Sequence, residues 1–308
     1  MRGIGARPVR RGWLAAALVT AAVLASGCGG GAPTPARSPT PPAATPPATT
    51  PAAAAPTGVG RPDHVVVAIF ENKDYAQIAG SAQAPYLNAL MARGAVLTNS
   101  RGIAHPSQPN YLALFSGSTQ GITDNRCFAP LANRPNLGRQ LLDAGLTFRG
   151  YAEDLPTAGY RGCTSGGYAA KHNPWVHFAN LPAAVNQPFR AFPTDYATLP
   201  TVAFVVPNLC NAMHDCSVST GDGWARAHLD PYLRWAVTHN SLLVVTFDEN
   251  DGRAGNRILT VVAGARVTPG HIDEPADHYR ILRTIENLYQ LPALGEAAAR
   301  SPLAGLWN

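Results

Sequence analysis

The chain has 308 residues, 46% of them apolar and 14% charged, the composition of a folding chain rather than a disordered one. Its net charge of +5 is unevenly spread. Five of the 24 Lys and Arg residues precede residue 61, no acidic residue does, and from there on 19 basic side chains face 19 acidic ones. A neutral folded part excludes a general nucleic-acid binder, whose affinity would come from a basic face.

Residues 1–28 read as an export signal. Arg2, Arg7, Arg10 and Arg11 form a charged start, and an apolar run from Trp13 to Leu24 follows. That run is shorter than the roughly 20 residues a bilayer-spanning helix needs, and fits the apolar region of a signal peptide. Ala25, Ser26, Gly27 and Cys28 resemble a bacterial lipobox, with Leu24 one place earlier than usual. Lipidation of Cys28 would anchor the protein to the outer face of the membrane; cleavage and release is the alternative. The Arg10–Arg11 pair suits a twin-arginine route as well as the general one. Residues 29–60 are almost entirely Gly, Ala, Pro, Thr and Ser. They cannot bury enough apolar surface to fold, so they read as a disordered spacer. Residues 61–308 are long enough for one large domain.

In that domain, residues 64–70 (HVVVAIF) form an apolar, β-branched run, the pattern of a strand buried on both faces. Residues 84–93 have helical spacing, stopped by Gly94, and 95–99 read as a strand. A helix is expected from Ser107 to Leu114 and another over 137–144. Strands follow at 147–151, 202–206, 241–247 and 258–263, with helices at 221–237 and 278–289. Pro231 should kink or break the former. Residues 155–200, rich in Pro, Gly and Asn, read as an irregular cap. Alternating strands and helices predict an α/β/α sandwich around a mainly parallel sheet, which binds ligands at the carboxyl ends of its strands. Polar residues sit repeatedly at those ends: Glu71 and Asn72, Glu153 and Asp154, Asn208, and Asp248 to Asp251.

Several of these groups can do chemistry. Asp248 and Glu249 end the most apolar strand, where a partly buried carboxylate needs a cation. Together with Glu71 and Asn72 they supply four oxygen ligands for a hard divalent metal. Ser107 starts a helix, where it could simply be an N-cap. It could equally be a nucleophile activated by a metal, since no Gly-x-Ser-x-Gly elbow surrounds it. His214 and Asp215 lie between Cys210 and Cys216, and His214 could meet a phosphate or protonate a leaving group. His105, His172 and His278 are weaker candidates for that work. Four cysteines follow Cys28, so two disulfides are expected in an exported protein. Three pairings are open; Cys127–Cys163 with Cys210–Cys216 is the expected one. The spacing does not suit a zinc site.

The set ENKDY (71–75), APYLNAL (84–90), HPSQPNYLALFSGSTQG (105–121), KHNPW (171–175), PNLCNAMHDCS (207–217), TFDENDG (246–252) and HYRILRTIE (278–286) resembles the bacterial phosphoesterase family of acid phosphatases and non-haemolytic phospholipases C. The resemblance spans roughly residues 62–295 and implies an alkaline-phosphatase-like fold. It implies one or more divalent metal ions held by Glu71, Asn72, Ser107, Asp248 and Glu249, although some relatives carry two aspartates at the last pair. It implies histidines around the phosphate, here His214, His105 and His278, with Asn110 and Asp215 expected to line the same site. The chain is shorter than the phospholipases C. The expected function is therefore hydrolysis of a small phosphomonoester through a phosphoserine, by an exported enzyme. A phosphodiesterase or phospholipase C is the alternative on the same fold, and a non-catalytic surface-binding lipoprotein is the alternative from another class.

Overall fold

The computed structural model describes residues 60–307; the export signal, Cys28 and nearly all of the spacer lie outside the described residues. The central sheet has eight strands: β1 (His64–Phe70), β2 (Ala95–Leu97), β3 (Phe148–Ala152), β4 (Asn186–Pro188), β5 (Val202–Val206), β6 (Ser241–Phe247), β7 (Thr260–Gly264) and β8 (Gly270–Ile272). Their order is β8-β2-β7-β6-β1-β5-β3-β4. The run β6-β1-β5-β3-β4 is parallel throughout, whereas β7 runs antiparallel to both of its neighbours.

The apolar run of β1 explains why it lies at the centre. Val65, Val67 and Ile69 join one core cluster, and Val66, Ala68 and Phe70 join another on the opposite face. Helices cover both. Onto the first face pack α3 (Ser107–Ser116), α4 (Leu137–Asp143) and α6 (His278–Leu288), through Phe115, Leu141 and Ile285. Onto the second pack α2 (Pro85–Met91), which follows the single turn α1 (Tyr75–Ile78), and α5 (Val218–Ala236), through Leu87, Leu90 and Leu233. The expected α/β/α sandwich therefore forms, because helices on both faces hide strands that carry no polar side.

Three expectations change. Residues 155–200 are not wholly irregular: Asn186–Pro188 pairs with β3 and closes one edge of the sheet. The strand expected at 258–263 divides, with Arg257 and Ile258 pairing to Ser100 and Arg101 in a small separate sheet. The helix around Pro231 does not break there but runs from Val218 to Ala236. Both expected disulfides, Cys127–Cys163 and Cys210–Cys216, are formed.

Candidate active site

Because β1 and β6 are parallel and Phe70 pairs with Phe247, Glu71 and Asp248 leave the sheet side by side. Both are buried, as is Glu249. Asn72 takes a left-handed conformation (φ 48°), which turns its N–H onto Asp248 Oδ1 at 3.2 Å. The third element is α3. Pro106 stands at its N-cap and makes no side-chain cap, so Ser107 is the first helical residue and not the cap. Its hydroxyl faces the strand ends instead. Ser107 Oγ lies 3.0 Å from Glu249 Oε1, 3.2 Å from Glu71 Oε2 and 3.5 Å from Asn72 Oδ1.

That arrangement is electrostatically incomplete. A hydroxyl has one proton to donate, yet three oxygens crowd it. Asp248 Oδ2 is buried with no hydrogen-bond partner among the described residues. Burial, and then the neighbouring Asp248 charge, raises the Glu71 carboxyl well above its usual range. Burial, and then Glu249, pushes Asp248 up to about 7, and burial raises Glu249 as well. Several buried carboxylates without a cation among them are costly. Their hard oxygen donors suit a divalent ion, so the residues present fit the metal that the resemblance implies.

A histidine side completes the site. His172 is buried and stacks on Tyr111, its Nε2 3.3 Å from Glu71 Oε2. Burial, and then the Lys171 charge, lowers its pKa well below the usual range, so the ring is neutral. Glu71, His172 and His214 each present one ligand atom, all within 4.8 Å of one another, and could together hold a metal ion. His214 is fixed from both sides. Lys171 Nζ lies 3.2 Å from its Nε2, and Asp215 Oδ1 lies 2.6 Å from its Nδ1. An ammonium can only donate, so Nε2 accepts and Nδ1 carries the proton toward Asp215. The Cys210–Cys216 bridge closes this loop, and Lys73 Nζ ties it to the first strand end by donating to Met213 O at 2.7 Å.

The remaining sequence candidates have different surroundings. His105 is half-exposed and its Nδ1 pairs with Glu249 Oε2, so it borders the cluster. Asn110 is buried with its amide wholly engaged by the preceding loop. Its Oδ1 accepts from Ile103 N and Ala104 N, and its Nδ2 donates to Ala104 O and Pro106 O. His278 is buried behind the site with Nε2 on Asp248 O at 2.5 Å. Asn110 and His278 therefore shape the Ser107 loop and the Asp248 backbone, where a direct substrate contact was expected. Two residues were missing from the expected set. Tyr111 donates to Glu71 Oε1; it lies four residues after Ser107, on the same helix face, which is the signal that could have found it. Lys171, beside His172 in the KHNPW motif, has no periodic signal that marks it.

Comparison with known proteins bears on this constellation. The profile described as the phosphoesterase family matches residues 80–292. The chain is 49% identical over 247 residues to a phosphatidylinositol-3-phosphatase of Mycobacterium tuberculosis, covering 80% of this chain and 83% of that one. It is 32% identical to a phosphate-repressible acid phosphatase of Penicillium chrysogenum, over 76% of this chain but only 60% of that protein. Among solved structures, an alkaline phosphatase superfamily protein of Vibrio parahaemolyticus matches with a TM-score of 0.55 at 13% identity, covering 80% of this chain and 71% of that one. A murine ectonucleotide pyrophosphatase/phosphodiesterase 5 matches at 0.54 and 10% identity, over 75% of this chain and 96% of that one. At such identities the structural likeness speaks for the fold alone.

Proposed function

The chain belongs to the phosphoesterase family, hydrolases of phosphoric esters, and from that premise we propose that it is an exported, metal-dependent phosphomonoesterase with Ser107 as nucleophile. The observation that carries the reading is the convergence of Glu71, Asn72 and Glu249 oxygens on the Ser107 hydroxyl, with Asp248 Oδ2 buried beside them and without a hydrogen bond among the described residues. A divalent cation held by Glu71, Asn72, Ser107, Asp248 and Glu249 would supply positive charge that lowers the serine pKa and offsets charge on the phosphoryl oxygens.

The chain's own groups do the rest. Ser107 Oγ attacks phosphorus in line while its proton passes to Glu249 Oε1, 3.0 Å away. The bond from phosphorus to the alcohol oxygen breaks, and the Lys171–His214 pair returns a proton to the departing oxygen. Water then attacks the phosphoserine and passes one proton to the Lys171–His214 pair, while Glu249 returns its proton to Ser107 Oγ; phosphate leaves, and the hydroxyl and both proton carriers are restored. Export is supported by the lipobox-like Cys28 and by the two disulfides, which persist in oxidising compartments. The phosphatidylinositol-3-phosphatase relative suggests a monoester on a lipid head group within reach of a membrane-anchored enzyme.

A second reading concerns His214 alone. Its proximity to Glu71 and His172 favours a metal-ligand role, in which case Lys171 alone supplies the proton. Metal content separates the two: His214→Ala keeps the wild-type metal content if the histidine is the acid and loses metal if it is a ligand. The function itself is tested by turnover of p-nitrophenyl phosphate and bis-p-nitrophenyl phosphate before and after chelation. Chelator-sensitive turnover with the monoester preferred is expected. Full activity in metal-free protein, or preference for the diester, overturns the proposal.

A further inference from the structure

On the Lys171–His214 side of the site lies a cavity of about 320 Å³, whose walls also include Gln108, next in sequence to Ser107, and both halves of the Cys127–Cys163 disulfide. Its construction is tied directly to the reacting groups. Gln108, the residue after the nucleophile, donates its backbone N–H to Asn125 Oδ1 at 3.0 Å. With its amide oriented to satisfy its neighbours, it donates to the carbonyls of Asp124 and Arg126, both at 3.1 Å, and accepts from His177 Nε2 at 3.2 Å. The opposite wall begins at Cys163, whose carbonyl accepts from Ala170 N at 2.9 Å, and runs straight into Lys171 and His172. The disulfide therefore joins the wall that carries Ser107 to the wall that carries the histidine side.

The charge of this cavity is one-sided. Among the described residues, Arg126 and Lys171 line it and no carboxylate does. Burial lowers His177 to about 4, so it stays neutral. Arg126 pairs with Asp124 Oδ2 at 2.6 Å, but its side chain is 86% exposed, and such a pair is weak. Its remaining guanidinium donors are available to an anion, which they would grip as a planar fork.

We propose that this cavity seats the alcohol half of the substrate and that Arg126, with Lys171, selects a phosphomonoester whose alcohol carries a second phosphate, in a soluble molecule or in a lipid head group. The inference rests on the Ser107 centre being the hydrolytic site.

The test compares the full-length wild type with Arg126→Ala and Arg126→Glu on three substrates: p-nitrophenyl phosphate, a bisphosphorylated hexose, and a phosphatidylinositol phosphate in phosphatidylcholine vesicles. The expected result is that kcat/KM on a second-phosphate substrate, relative to p-nitrophenyl phosphate, falls about tenfold in Arg126→Ala, as loss of a charged hydrogen bond implies, and further in Arg126→Glu. The loss should reside mainly in KM. A fall confined to the hexose or to the vesicles supports the proposal and identifies the source of the second phosphate. An unchanged ratio for both substrates overturns it. Failure of the wild type to hydrolyse any of the three refutes the hydrolase reading itself, a result distinct from an unchanged ratio. Arg126 is exposed, and matching melting temperatures verify that the variants fold.

Discussion

At the scale of single residues, Ser107 has no structural task that explains its position. It does not cap α3, and its hydroxyl is turned toward carboxylates. Ser107→Ala should therefore abolish phosphatase turnover while changing unfolding free energy by less than about 1 kcal/mol, measurable by denaturant titration beside a p-nitrophenyl phosphate assay. A variant that loses stability and keeps activity would make Ser107 structural. In the sequence Ser107 was indistinguishable from a helix cap, since both roles need a short hydroxyl at a helix start. Glu71, Asn72, Asp248 and Glu249 were legible because they follow apolar strands, where carboxylates are costly. Lys171 was not, because its role depends on contacts between segments far apart in the chain, and Tyr111 was marked only by its helical spacing from Ser107. Asn110 and His278 carried the right residue types but face backbone, and residue type alone cannot show which way a side chain is aimed.

At the scale of elements, helix α2 has no cap from its own sequence: Ala84 stands at its N-cap. Asp222, from α5, supplies one across the fold, accepting from Tyr86 N at 3.0 Å and Leu87 N at 2.8 Å. Both donors are buried, so Asp222→Ala should cost about 1–3 kcal/mol and leave kcat unchanged, a split that thermal denaturation and steady-state kinetics read separately. Gly150 in β3 offers a second check. A Cβ there would lie 2.1 Å from Trp175 Cε2, and the indole is locked by donating to Asn186 Oδ1 at 2.7 Å. Gly150→Ala should destabilise by about 1–3 kcal/mol through overpacking. The strands β1, β5 and β6 were read from sequence with their observed bounds, because double-faced burial leaves uninterrupted apolar runs. The edge strand Asn186–Pro188 was missed, since three residues ending in proline give no period and edges tolerate what central strands do not.

At the scale of the whole molecule, the basic pI belongs to the first 60 residues, and the domain beyond them is neutral. Among the described residues no helix is long and apolar enough to cross a membrane. Stability should nevertheless depend on pH. Burial raises Glu286, packed in α6, from its usual 4.5 to about 8. The folded state then binds more protons than the unfolded one between those values, so the contribution of this group is complete below pH 4.5 and is lost as pH rises through about 8. In chelated protein Tm should fall across that window, and Glu286→Gln, which keeps the acceptor for Leu294 N, should flatten the fall; equal slopes for the two proteins would contradict the assignment. The central claim is narrower, that phosphate passes through the Ser107 hydroxyl, and the most direct measurement is acid quench of the enzyme during turnover followed by peptide mass spectrometry. The account predicts phosphate on the peptide bearing Ser107, at that residue, and none in Ser107→Ala. Phosphate on another residue, with Ser107→Ala still active, would contradict it.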